Sequence, residues 1–145
     1  MLPILTHLAL HVHELEETVR FYKNYCDLNI VHDRESSSGS RVVWMAREGF
    51  EKEFIFVFIS GGPLPASVDN DYSHLGFALD SKNAVDQIAQ RARDAGCLAW
   101  EPRQEPYPVG YYCALKDPQG NFVEFSYGQP LGPGAEDIAA EHEEG

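Results

Sequence analysis

The sequence predicts an α+β fold made of two βαβββ modules, in which a strand, a helix and three further strands occur twice. Two observations predict it. Short apolar strands and amphipathic helices follow one another in the same order in both halves of the chain, and polar residues on those strands recur at matching intervals. We expect one domain over residues 1–127, with modules at about 3–61 and 72–127, followed by a tail over 128–145.

The first module begins with an apolar strand predicted over Ile4–Val12. A helix follows within residues 13–26, and the residues spaced to form its apolar face are Leu15, Val19, Tyr22 and Cys26. A serine-rich turn over 35–40 separates the later strands. These strands are predicted over Leu28–His32, Arg41–Arg47 and Glu53–Ser60.

The second module repeats this order after a loop over Gly61–Asp71. Its first strand is predicted over Tyr72–Leu79, and its helix begins after Asp80 or Ser81 and runs to about Ala95, where Gly96 can end it. A proline-containing loop is expected over Arg103–Val109. The remaining strands are predicted over Cys97–Glu101, Tyr111–Lys116 and Asn121–Tyr127.

The spacing of polar strand residues supports the repeat. His74 and Glu124 lie on the first and last strands of the second module, 50 positions apart, and the same interval counted from His7 reaches Val57 in the first module. Of the four equivalent positions, three therefore carry His, His and Glu, and the fourth carries Val. A carboxylate in an apolar strand is costly unless it is paired, protonated or bound to a metal, so we expect His7, His74 and Glu124 to hold a divalent cation.

Charge and composition restrict the partners. The net charge of -12 disfavours binding to nucleic acid or to an anionic membrane surface, because both depend on Lys and Arg. Scattered cysteines and the lack of a signal peptide or a long apolar run predict a cytoplasmic protein. The tail contains five acidic residues and no Lys or Arg, and we expect at most a short helix near Ala135–Glu143.

Three segments resemble the vicinal oxygen chelate superfamily, which includes glyoxalase I, extradiol dioxygenases, and fosfomycin- and bleomycin-resistance proteins. They are the strand and helix from His7 to Tyr22, the strand Ser73–Ala78, and the turn and strand Asp117–Phe125 (DPQGNFVEF), which is the most specific match. The resemblance covers about residues 3–127. It implies an incomplete mixed β-barrel around a metal, and it maps the metal ligands onto His7, His74 and Glu124.

The resemblance also implies a homodimer in which His7 of one chain meets His74 and Glu124 of the other. Metal-binding glyoxalases place Glu or Gln where this chain has Val57, a departure that argues against lactoylglutathione lyase activity. Extradiol enzymes place a Tyr ten residues before the ligand Glu, where this chain has Ala114. Tyr112 lies on the same face and is a candidate proton donor; His11, on the face of His7, is a candidate acid or base.

These features predict a metal-dependent enzyme acting on a small molecule, with oxygen chemistry of the extradiol dioxygenase kind preferred. Fe(II) is the first choice of metal, and Mn(II), Zn(II), Ni(II) and Co(II) are alternatives. Isomerase, lyase or thiol-transferase chemistry is the next possibility. A metal-free protein that binds a drug or an aromatic metabolite, and a former enzyme that kept its ligands, remain alternatives from other classes.

Overall fold

The computed structural model of the protein describes residues 1–64, 69–132 and 135–143. The chain divides into two compact units, Met1–Val68 and Asp69–Gly145. Each unit contains one βαβββ module with a four-stranded mixed sheet, which confirms the predicted fold class. Part of the predicted loop Gly61–Asp71, residues 65–68, lies outside the described residues.

The first unit has one helix and a sheet in the order β1-β4-β3-β2. Its elements are β1 (His7–Val12), α1 (Leu15–Cys26), β2 (Leu28–Glu35), β3 (Arg41–Arg47) and β4 (Ile55–Ser60). β1 pairs with β4 in parallel, and the other pairs are antiparallel. The apolar side of α1 packs on one face of this sheet, where the rings of Tyr22 and Phe58 lie 4.9 Å apart. Both residues are fully buried.

The second unit repeats this arrangement with the order β5-β8-β7-β6. Its elements are β5 (His74–Ala78), α2 (Lys82–Ala95), β6 (Leu98–Glu105), β7 (Gly110–Lys116), β8 (Phe122–Tyr127) and α3 (Ala135–Glu143). Helix α2 buries Val85, Ile88, Ala89 and Ala92, the face that its periodicity predicted. The Sγ atom of Cys113 lies 3.9 Å from the Val85 carbonyl oxygen, so Cys113 belongs to this core.

The registers of the two sheets show that the repeat is structural. His7 pairs with Ile55 in the first sheet, and His74 pairs with Phe122 in the second. Two residues further on, Ala9 pairs with Val57 and Gly76 pairs with Glu124. Val57 and Glu124 therefore occupy equivalent positions, as the interval of 50 residues predicted.

Strand β6 is longer than predicted, and the expected loop over Arg103–Val109 is wrong for its first three residues. Residues 103–105 pair with Tyr112, Tyr111 and Gly110. Pro102 interrupts the sequence pattern but is tolerated because β6 is an edge strand, where a missing N–H costs no ladder hydrogen bond. A register shift between Trp100 and Arg103 accommodates it.

The sequence predicted the C-terminal helix correctly but placed the start of the first strand too early. β1 begins at His7 rather than Ile4, and Ile4 and Leu5 are exposed. Helix α3 covers Ala135–Glu143, the range that the sequence predicted. None of the helices in the described residues combines the length and the apolar character needed to cross a membrane.

Helix α2 begins at a side-chain cap. The hydroxyl oxygen of Ser81 accepts a hydrogen bond from the backbone N–H of Ala84 at 3.0 Å. We expect Ser81→Ala to lower the free energy of unfolding by about 1 kcal/mol, because this N–H loses its acceptor. Urea denaturation measures the change, with Asp80→Ala as control. A larger loss in Asp80→Ala than in Ser81→Ala would contradict this assignment of the cap.

Candidate metal-binding site

Each sheet has a face opposite its helix, which we call the open face. Along β5 the side chains alternate: Leu75 and Phe77 are partly buried, whereas His74, Gly76 and Ala78 are exposed on the open face. β1 shows the same alternation, with His7, Ala9 and His11 exposed. The predicted ligands His7 and His74 are therefore at equivalent positions on the two open faces.

The structure brings His74 and Glu124 together. The Nε2 atom of His74 lies 3.7 Å from Oε2 of Glu124. On the other side of the ring, Nδ1 lies 2.7 Å from the carbonyl oxygen of Tyr72. A carbonyl oxygen can only accept, so Nδ1 carries the proton and donates it. In the neutral ring the lone pair is then on Nε2, which is directed towards the carboxylate, and this is the tautomer that a metal ligand requires.

Glu124 is an unusual residue for its position. It is 8% exposed, on a strand flanked by apolar residues. Burial raises the pKa of this carboxyl group, and the nearby His74 partly opposes the rise. A Cβ atom added to Gly76 would lie 3.3 Å from Oε2 of Glu124, so Gly76 provides the space that the carboxylate occupies.

This pair fits a divalent cation. Imidazole nitrogen and carboxylate oxygen are both common ligands of transition metals, and two such bonds together measure about 4.2 Å. The separation of 3.7 Å between Nε2 and Oε2 is shorter than this sum, so one cation can contact both atoms. Two protein ligands leave further coordination positions, which another residue, water or a substrate can fill.

His7 lies in the first unit, with Nδ1 3.1 Å from the hydroxyl of Thr6. Within the described ranges 1–64, 69–132 and 135–143, no three His, Cys, Asp or Glu residues are grouped closely enough to hold a metal. Within the second unit the structure brings together the pair His74 and Glu124. The complete triad stays a prediction.

The two predicted catalytic residues lie in different surroundings. Tyr112 pairs with Ser126 and lies diagonally from Glu124 on the same face, a relation that places such side chains about 7–8 Å apart. Ala114 pairs directly with Glu124. The ring of His11 lies against Gly62, and a Cβ atom added to Gly62 would be only 2.3 Å from that ring. His11 is four residues from His7 on the same strand, which places the two residues about 13 Å apart.

A cavity beside His74 contains residues that sequence reasoning missed. It has a volume of about 500 Å³ and is lined by Tyr72, Trp100, Glu101, Pro102, Arg103 and Tyr112. The ring of Trp100 meets that of His74 edge to face at 5.7 Å and stacks on Phe122 at 5.1 Å. The pairing of the strands would have indicated Trp100. It pairs with Ala114 between β6 and β7, and Ala114 pairs with Glu124 between β7 and β8.

Known proteins share the sequence pattern of this chain. The family model of the Glyoxalase/Bleomycin resistance protein/Dioxygenase superfamily matches residues 4–125. An uncharacterized protein of Pseudomonas aeruginosa, PA2024, is 58% identical over 136 residues, which cover 94% of this chain and 96% of that protein.

Solved structures show the same fold at low identity. The fosfomycin resistance protein FosX from Listeria monocytogenes, as a variant with Mn(II) and 1S,2S-dihydroxypropylphosphonic acid, has a TM-score of 0.67 and 21% identity, covering 87% of this chain and 93% of FosX. A possible glyoxalase from Bacillus cereus has a TM-score of 0.64 and 21% identity, covering 84% of this chain and 96% of its own. With the family model matching most of its length, the chain belongs to the Glyoxalase/Bleomycin resistance protein/Dioxygenase superfamily.

Proposed function

We propose that this protein is an enzyme that uses a divalent metal, held by His7, His74 and Glu124, to act on a small molecule. The observation that carries the proposal is the pair His74 and Glu124, with Nε2 and Oε2 3.7 Å apart and Nδ1 bonded to the Tyr72 carbonyl. A nearly buried carboxylate beside an imidazole held in the tautomer of a metal ligand is suited to binding a metal. The same carboxylate does not stabilise the fold, because an isolated buried charge is costly.

Residues around the pair have separate roles in this proposal. A bound cation supplies Lewis-acid stabilisation of negative charge on a substrate oxygen. The Tyr72 carbonyl orients His74, and Gly76 leaves space for the Glu124 carboxylate. The phenol of Tyr112 holds a proton that can be donated to the substrate. The cavity that Tyr112 shares with Trp100 gives an aromatic wall against which a small organic molecule can lie.

Oxygen-dependent chemistry of the extradiol kind is our preferred reaction, because three protein ligands leave coordination positions for substrate and for a further ligand. Lyase, isomerase or thiol-transferase chemistry is the alternative within the same scheme. Fe(II) is the preferred metal for the oxygen chemistry. Mn(II) also belongs in any metal panel, since it is present in the FosX structure that shares this fold.

The third ligand is proposed to come from a second copy of the chain. His7 lies in Met1–Val68 and the pair lies in Asp69–Gly145, so the three predicted ligands are divided between the two units. A homodimer would let His7 of one protomer meet His74 and Glu124 of its partner. Such an arrangement gives two equivalent sites for each dimer.

Equilibrium dialysis against Mn(II), Fe(II) under anaerobic conditions, and Zn(II), followed by elemental analysis, tests the proposal. We expect one metal for each chain in the natural protein and none in His74→Ala. His32→Ala is the matched control, because His32 contacts the ring of Trp44 in the other unit and should leave binding unchanged. The absence of stoichiometric metal in the natural protein would overturn the proposal.

Gly76→Ala tests the space that the carboxylate needs. The added Cβ atom would lie 3.3 Å from Oε2 of Glu124, which must then move by a few tenths of an ångström. We expect the affinity for Mn(II) to fall about tenfold, in the range seen when the surroundings of a metal ligand are disturbed. Titration calorimetry gives the affinity, and the melting temperature without metal verifies the fold. An unchanged affinity would show that Gly76 does not position the ligand.

A metal-free binding protein is the second candidate, and Val57 favours it. Val57 stands at the position equivalent to Glu124 and lines an apolar cavity in the first unit. If both units bound organic ligands without metal, His74→Ala and the natural protein would behave alike in the dialysis experiment.

A further inference from the structure

A second cavity lies on the open face of the first sheet. It has a volume of about 430 Å³, within the range of small-molecule sites. Aliphatic side chains and one indole form most of its wall, namely Val42, Ile55, Val57, Ile59 and Trp44. Trp44 is 38% exposed, so a flat face of an aromatic ring is available to a ligand. An apolar cavity of this size favours an organic molecule over an ion.

Arg34 provides the positive charge in this lining. It pairs with Val42 across β2 and β3, and both residues contribute to the cavity. The neighbouring strand residue Asp33 is directed elsewhere: its carboxylate binds Arg41, which also binds Glu16 on helix α1. Among the residues that the structure describes, no carboxylate forms an ion pair with Arg34. Its charge therefore remains available to a bound molecule.

The repeat supplies an internal comparison. Arg103 pairs with Tyr112 in the second sheet as Arg34 pairs with Val42 in the first, and Tyr112 and Val42 occupy equivalent positions on β7 and β3. Arg103 is engaged, because its guanidinium lies 2.9 Å from the Glu105 carboxylate. Both modules thus carry an arginine at the same position. A carboxylate neutralises the charge of Arg103 in the second module, whereas none of the described carboxylates pairs with Arg34 in the first.

We propose that the first-unit cavity binds the organic part of a small monoanion, with Arg34 binding its carboxylate, sulfonate or phosphonate group. The proposed metal ligand His7 also lines this cavity, so the proposal rests on the proposed function and adds the class of substrate: a largely apolar acid rather than a neutral compound. The protein has a net charge of -12, so its overall field repels anions and a local cation is needed to bind one. A guanidinium matches such groups well, because it can donate two parallel hydrogen bonds.

A pair of fluorescent probes tests this proposal. 1-Anilinonaphthalene-8-sulfonate carries an apolar ring system and one anionic group, and N-phenyl-1-naphthylamine has the same rings without the sulfonate. We expect Arg34→Gln to weaken binding of the sulfonate about tenfold and to change binding of the neutral probe less than about twofold. Arg34→Lys should retain part of the affinity for the sulfonate. Trp44→Leu should weaken both probes, because both use the indole wall.

Arg20→Gln is the control, since it removes an exposed arginine of the same unit that lies on helix α1 and pairs with Glu17. We expect it to leave both affinities unchanged. The proposal is overturned if the sulfonate shows no saturable binding, if Arg34→Gln binds it as well as the natural protein does, or if Arg20→Gln weakens it equally. All titrations contain EDTA, so sulfonate binding is measured without metal. Failure of the metal site appears in the dialysis experiment and failure of the Arg34 site appears in these titrations, so the two give different results.

Discussion

Glu124→Gln is expected to produce two effects of opposite sign. Affinity for a divalent metal should fall by at least about 100-fold, because a neutral amide replaces the anionic ligand. Stability of the metal-free protein should rise by about 1 kcal/mol, because Glu124 is 8% exposed and its carboxylate faces the lone pair on Nε2 of His74 at 3.7 Å. Calorimetric metal titration measures the first effect, and urea denaturation in EDTA measures the second.

Glu101→Gln is the matched control for this prediction. It removes the same charge from the same sheet, but Glu101 is exposed and bound to Arg93 at 2.5 Å. Metal affinity should remain unchanged in this variant. Loss of stability in metal-free Glu124→Gln would mean that the carboxylate is a structural group, which would contradict its assignment as a ligand kept for binding.

The second large effect is expected on the opposite face of the same strand. Phe125 is fully buried, and its ring stacks on that of Phe77 with the centroids 5.7 Å apart. We expect Phe125→Ala to lower the free energy of unfolding by about 3–5 kcal/mol, through lost burial and the cavity left behind. Thermal and urea unfolding measure the loss.

Phe122→Ala is the control for Phe125→Ala. Phe122 lies on the same strand but faces the open side, partly exposed and stacked on Trp100. Its replacement should cost clearly less than that of Phe125. Equal losses would show that the open face is packed as tightly as the helix-covered face, which would contradict the description of two different faces.

The fold was predictable because its signals are local and occur twice. The apolar stripe of α2, the cap at Ser81 and the left-handed Gly96 at its C-terminus each follow from residue type. Strand ends were less predictable, since β6 extends past Pro102 only because its position at the sheet edge removes the cost of a missing N–H. A sequence pattern does not show which strand lies at an edge.

The candidate site was predictable in its ligands but not in its surroundings. His74 and Glu124 stood out as polar residues in apolar strands, and the structure places them together. The Tyr72 carbonyl, Gly76 and Trp100 act through backbone position or strand pairing. Residue type alone does not indicate such contributions, which can be identified only when the register of the paired strands is known. Arg34 is a similar case, because its availability depends on Asp33 being directed to Arg41 instead.

The most direct test of the shared metal site mixes two inactive variants. His7→Ala and His74→Ala chains are each expected to bind no metal at stoichiometric levels. After unfolding and refolding together, mixed dimers would contain one intact site, with His7 from one protomer and His74 and Glu124 from its partner. Random pairing then predicts recovery of about a quarter of the natural protein's bound metal. Metal binding that stays at zero in the mixture would contradict a site shared between two chains.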